Sequence, residues 1–219
     1  MRHERSRSIF LGARNMRHAL LLDGGFVIKK LQIANRHFPT ADEIEELCRS
    51  INASDGLSGS SLLRIYFYHA RPASDELVNP IDRSETRLAD TPIFRSHERL
   101  IDTLELRPNF AVRLGETVAN GWAVGQRAME NLTQTPRAIE ARDLVPNISQ
   151  KGVDLRIGLD ISRIALQKLA ETIVVVTGDS DLIPAFKFAR REGLRVHLHT
   201  MGHGVRRDLK AHADIVDVT

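Results

Sequence analysis

Short apolar runs alternate with amphipathic stretches along the chain, and each kind stops at residues that punctuate secondary structure. His18 to Leu22 is a compact apolar run halted by Asp23-Gly24-Gly25, the pattern of a buried strand entering a loop. Helical spacing follows from Val27 to Asn35. It resumes after Pro39, where Thr40, with Glu43 three residues on, predicts a capped helix reaching about Ile51. Asn52 to Ser61 is rich in Ser, Gly and Asp, and Leu62 to His69 alternates as a strand should. Six of the eight prolines then fall between residues 71 and 150 and break the pattern. A helix is predicted from about Ile93 to Leu106 and a strand from Phe110 to Leu114, and residues 115–150 read as a less regular, exposed excursion.

From Lys151 the periodicity sharpens. Val153, Ile157, Ile161, Ile164 and Leu169 mark a helix, Thr172 to Val176 a strand, and Leu182 to Arg191 a helix ended by Gly193. Arg195 to His199 reads as a strand, Val205 to His212 as a short helix, and Ile215 to Val218 as a last apolar run. Alternating strands and helices predict an α/β domain: a mostly parallel sheet with helices on both faces and a ligand site at the carboxyl ends of the strands.

Composition narrows the classes. With 219 residues, 42% hydrophobic and 27% charged, the chain suits one globular domain and not a disordered one. Its longest apolar runs fall far short of the roughly 20 residues of a membrane span. The single cysteine, Cys48, excludes an internal disulfide and a multi-cysteine zinc site, and the expected compartment is reducing and cytoplasmic. The net charge is only +3, and five arginines against one acid fall in the first seventeen residues. Residues 1–15 are therefore expected to be a flexible basic extension preceding a domain over 16–219, with translation starting at Met1 or Met16.

The candidate chemistry lies where strands end in acids. The first strand ends in Asp23, the strand from Thr172 leads to Asp179 and Asp181, and Asp154 opens the helix after Lys151-Gly152. In a parallel sheet these ends share one edge. Carboxylates crowded there repel one another and call for a divalent cation, and all-oxygen donors suit Mg²⁺ or Mn²⁺. Such a cation can activate water and stabilise charge on a phosphate, which makes phosphodiester hydrolysis the natural reaction class. Each aspartate also has a structural reading as a turn or cap residue, although Asp179-Ser180-Asp181 supplies more acid than one cap requires.

Taken together, Leu22-Asp23-Gly24-Gly25-Phe26, Lys151-Gly152-Val153-Asp154 with Asp160 six residues on, and Val176-Thr177-Gly178-Asp179-Ser180-Asp181-Leu182 resemble the NYN domain (LabA-like, DUF88) of the PIN-like nuclease superfamily. Arg190-Arg191-Glu192-Gly193-Leu194-Arg195-Val196 extends the resemblance, which is loosest between residues 71 and 150. It implies a PIN-like fold and a metal-dependent endoribonuclease in which Asp23, Asp154, Asp179 and Asp181 hold Mg²⁺ or Mn²⁺, with Asp160 as a fifth ligand. At helical spacing Asp160 could instead pair with Arg156 or Arg163. Gly-Gly-Phe replaces the asparagine that many members carry after the first aspartate. The alternative is a weakly active or inactive nucleic-acid-binding or regulatory module.

Lys29, Lys30, Lys151 and Ser180 flank the motifs as candidate substrate contacts, and Arg206, Arg207 and Lys210 form a basic face for an RNA backbone, expected to be single-stranded. A homo-oligomer is left open. His197, His199 and His203 are read as structural histidines because no further zinc ligands accompany them. The extension carries too little apolar surface to offset the entropy of ordering it. Deleting residues 1–15 is thus expected to leave the thermal unfolding midpoint nearly unchanged; a large drop would show that Ile9, Phe10 and Leu11 dock on the domain.

Overall fold

The computed structural model describes residues 16–218, so the expectations for residues 1–15 lie outside the described residues. The elements in chain order are β1 (Arg17–Asp23), α1 (Gly24–Asn35), α2 (Ala41–Asn52), β2 (Ser61–Ala70), β3 (Glu76–Val78), β4 (Glu85–Arg87), α3 (Pro92–Glu105) and β5 (Phe110–Val124). They continue with α4 (Gln126–Gln134), β6 (Leu144–Lys151), α5 (Val153–Leu166), β7 (Thr172–Val176), α6 (Ile183–Arg191), β8 (Arg195–His199), α7 (Arg207–Ala211) and β9 (Ile215–Asp217). A seven-stranded sheet runs in the order β6-β5-β2-β1-β7-β8-β9. Every pairing in it is parallel except β5 with β6. β3 and β4 form a separate antiparallel pair. Among the described residues no helix is long and apolar enough to cross a membrane.

The strand period of two divides the core between the faces of the sheet. Ala19, Leu21, Ile173, Val175 and Val196 face α5 and α6, where Ile157, Ile161, Ile164 and Phe186 are buried. Leu20, Leu22, Phe67, Val174 and Val176 face the other way, onto Val27 and Ile28 of α1, Ile44 and Cys48 of α2, and Leu100 and Leu104 of α3. Because β1 is buried on both sides, truncating Leu20, Leu21 or Leu22 to alanine removes contacts worth about 2–5 kcal/mol. Burial raises the Cys48 thiol to about 12, which makes it a core residue and not a reactive one.

The predicted capping box is formed. Thr40 Oγ1 accepts from the Glu43 amide at 3.3 Å, and Glu43 Oε2 accepts from the Thr40 amide at 2.7 Å. The main departure concerns residues 115–150. The strand predicted to stop at Leu114 continues to Val124, and with β6 it makes an antiparallel ribbon that carries α4 between its arms. The physical reason is close approach: a Cβ on Gly115 would lie 2.5 Å from the Lys151 carbonyl oxygen, so the absence of a side chain there is what lets β6 come alongside. The helix expected from Leu182 begins as a 3-10 turn, Ser180–Leu182, before α6. The last helix is shortened to Arg207–Ala211.

The turn from β1 into α1 is equally tight. A Cβ on Gly24 would meet the Tyr68 carbonyl oxygen at 2.5 Å and the Phe67 ring at 2.8 Å. Gly24→Ala should destabilise the protein by about 1–3 kcal/mol through overpacking against backbone that cannot yield. Urea unfolding checks this, with Gly25→Ala as the control, since its Cβ would have nothing nearer than 3.6 Å.

Candidate active site at the carboxyl edge

β1 lies between β2 and β7, all parallel, so Asp23 and the loop after Val176 leave the sheet side by side. A chain of hydrogen bonds joins them. The Phe26 amide donates to Asp23 Oδ1 at 3.2 Å, which caps α1. Thr177 Oγ1 donates to Asp23 Oδ2 at 3.1 Å and itself accepts from the Asp179 amide at 3.0 Å. Asp179 Oδ1 accepts from the Asp181 amide at 2.8 Å and caps the 3-10 turn. Thr177 is fully buried and ties the two strand ends together. Its position inside the Thr-Gly-Asp motif was the available signal for this role, which reasoning from charge alone passed over.

Asp154 sits in the first turn of α5 behind Gly152, whose left-handed φ of 74° turns the chain from β6 into the helix. The cap position is Gly152, so the capping role considered for Asp154 does not hold: its carboxylate has no hydrogen-bond partner among the described residues and lies exposed. The acids still feel one another. Burial raises the Asp23 carboxyl above the usual range against its two hydrogen bonds, and Asp154 and Asp179 push it further the same way. Although Asp154 is exposed, the surrounding chain desolvates it enough to raise its carboxyl, with Asp179 and Asp181 adding to it. The four aspartates thus share one electrostatic neighbourhood. Among the described residues, however, no three His, Cys, Asp or Glu side chains stand close enough to enclose an ion by themselves.

Asp160 is engaged elsewhere. Its Oδ2 accepts from Tyr68 Oη at 3.0 Å and from Arg113 Nε at 3.2 Å, so it forms an ion pair, though with Arg113 of β5 and not with the helical neighbours Arg156 or Arg163. Burial and the adjacent Asp160 hold the Tyr68 phenol well above its usual range, keeping it a donor.

The cationic candidates divide. Lys30 is half-buried, with Nζ 3.0 Å from His203 Nδ1 and 5.7 Å from the Phe26 ring centre. A Cβ on Gly178 would lie 2.8 Å from Phe26 and 2.9 Å from His203, so this cluster abuts the Asp179 loop. His203 therefore belongs to the site's surroundings, which its sequence position did not suggest. Ser180 is half-buried in the same loop, whereas Lys29 and Lys151 are exposed. Arg206 pairs with Asp208 at 2.8 Å, and Arg207 and Lys210 are exposed on α7, which packs beside the 3-10 turn. His197 and His199 are buried on β8, and both ring nitrogens of His197 lack a hydrogen-bond partner among the described residues.

Comparison with known proteins agrees with this geometry in part. No curated protein matches the chain. A crystal structure of a protein of unknown function from Vibrio parahaemolyticus is similar over 94% of each chain, at 15% identity and a TM-score of 0.51, which is a likeness of fold. The NYN domain family matches residues 86–216, a stretch holding Asp154, Asp179 and Asp181, while Asp23 lies before it. By that match the chain belongs to the NYN domain family.

Proposed function

We propose that the protein is a metal-dependent ribonuclease of the PIN-like superfamily, in the LabA-like (DUF88) branch, acting on single-stranded RNA. The observation that carries this reading is the chain Phe26–Asp23–Thr177–Asp179, which holds two strand-end acids at one edge with Asp154 and Asp181 in electrostatic reach. The donor chemistry fits a hard cation: the set is all carboxylate, and Asp23 and Asp154 are raised first by burial and then by the neighbouring acids. Asp23, Asp154, Asp179 and Asp181 would hold Mg²⁺ or Mn²⁺, with water completing the coordination. The bound cation would polarise the phosphodiester and lower the pKa of an attacking water. Asp23 and Thr177 keep the acid edge in register, and Lys30, Ser180, Arg206 just before α7, and Arg207 and Lys210 on α7 would meet phosphate oxygens.

A second reading is favoured by one feature. Asp23 and Asp179 both cap helical turns, which is what a binding module with a vestigial site would keep them for. The two readings separate on turnover. Asp23→Asn and Asp179→Asn retain a good capping side chain but remove a charge, so each should lower Mn²⁺-dependent cleavage of single-stranded RNA at least 100-fold with the unfolding curve intact. Wild-type protein that binds RNA without cutting it in Mn²⁺ or Mg²⁺ would instead establish the module.

Charge repulsion makes a second prediction. For a carboxyl whose folded-state pKa is raised, the penalty is present above that pKa and is relieved as pH falls through the window towards the ordinary 3.8. Asp154→Asn in chelator-treated protein should therefore gain about 0.2–0.5 kcal/mol at pH 7, the scale of exposed like-charge pairs, and the gain should vanish by acid pH. Denaturant titrations at both pH values measure it. A loss at pH 7 would mean that the favourable position of Asp154 in the first turn of α5 outweighs the repulsion.

A further inference from the structure

Beyond the acid edge, the carboxyl end of β2 opens into a cleft of about 470 Å³. Its walls are apolar, built from Pro72 and Leu88, from Phe94 of α3, and from Pro146 and Ile148 of β6, and His97 and Gln150 also line it. The volume is that of a small-molecule site, and the lining has the usual character of one: apolar walls with a few polar groups.

Those polar groups belong to one hydrogen-bonded chain, Gln150–His69–His97, whose direction follows from the orientation assigned to the Gln150 amide. Gln150 Nε2 lies 3.5 Å from His69 Nδ1, and an amide nitrogen can only donate, so His69 Nδ1 accepts. His69 is neutral, since burial and the neighbouring His97 lower it to about 4; its proton therefore sits on Nε2, 2.9 Å from His97 Nδ1, and is donated there. His97 is likewise held towards neutrality by burial, which leaves its Nε2–H as the donor at one end of the chain and the Gln150 amide oxygen as the acceptor at the other. A donor and an acceptor between apolar walls that include the Phe94 ring match the edge of a nucleobase, every one of which presents an acceptor beside an N–H donor.

The cleft adjoins the acid edge. Asp23 is in register with Tyr68, and the Cβ position of Gly24 lies 3.1 Å from His69 Cβ, so the middle member of the chain touches the turn that follows Asp23. Ala70, two residues beyond Tyr68 and about 7 Å further along the strand, forms part of the cleft wall. We propose that this cleft is a nucleobase pocket, a specificity subsite that seats one base of an RNA strand crossing the carboxyl edge. It rests on the nuclease reading for its substrate class. His97 and Gln150 read the base edge, and Phe94, Pro72 and Pro146 supply the stacking walls.

The test uses full-length protein in chelator, so that binding is measured without turnover. Uridine added to isotope-labelled protein should perturb the resonances of His97, Ile148 and Gln150, and 3-methyluridine, which lacks the N3–H donor, should bind at least fivefold more weakly. By fluorescence anisotropy, Ile148→Trp, which fills the cleft from an exposed strand position, and His97→Phe, which keeps a ring but removes the donor, should each weaken a labelled oligouridylate at least fivefold. Equal affinity of the oligouridylate for wild-type and Ile148→Trp, or uridine perturbations confined to residues outside the cleft, would overturn the proposal. Cleavage of the same oligonucleotide by wild-type protein in Mn²⁺ speaks only to the nuclease reading, so the two can fail separately.

Discussion

The hydrogen bond from Thr177 Oγ1 to Asp23 Oδ2 is the contact on which the candidate site depends. It bridges the carboxyl ends of adjacent parallel strands 154 residues apart in sequence, and it does so from a side chain wholly removed from water. In that setting the hydroxyl must donate and accept, because a buried polar group left unpaired costs about 1–3 kcal/mol. Accepting from the Asp179 amide fixes the start of the loop that carries the remaining acids. One threonine thus ties the ends of two strands into the candidate site.

The same arrangement explains why the acids sit where they repel. Asp23 is held by two donors and is still raised by burial and its neighbours, so the fold supplies enough binding to keep the carboxylate in place and not enough to neutralise its surroundings. A structural cap alone would need no second acid facing it. Asp154 makes the contrast plain, being raised by Asp179 and Asp181 while making no hydrogen bond among the described residues. On the proposed reading, a bound cation would offset the cost of that placement.

Much of this was legible in the sequence, for a definite reason. Buried parallel strands announce themselves as apolar runs, so β1, β7 and β8 were placed within a residue or so, and strand-to-helix alternation fixed their parallel order and the edge where Asp23 and Asp179 meet. The ribbon was not legible, because β5 beyond Leu114 carries Gly115, Asn120 and Gly121, residues that locally mean a turn. Gly121 has a φ of 79° and lies in the register shift between Ala119 and Trp122, so these residues make an irregular ladder rather than ending it. Asp160 was ambiguous since its partners, Tyr68 and Arg113, are 92 and 47 residues away. The cleft joins Ala70, Phe94 and Pro146, a meeting that no local pattern encodes.

The central claim is that the carboxyl edge between β1 and β7 gathers its aspartates to hold a divalent cation. Paramagnetic relaxation by Mn²⁺ tests it most directly: substoichiometric Mn²⁺ added to isotope-labelled, chelator-stripped protein broadens resonances according to their distance from the bound ion. The account predicts broadening centred on Asp23, Asp154, Thr177 and Asp179, falling away along β1 and β7 towards their amino ends. Broadening centred on another acidic patch, such as Glu98 and Asp102 beside Arg71, or no localised broadening at all, would contradict it.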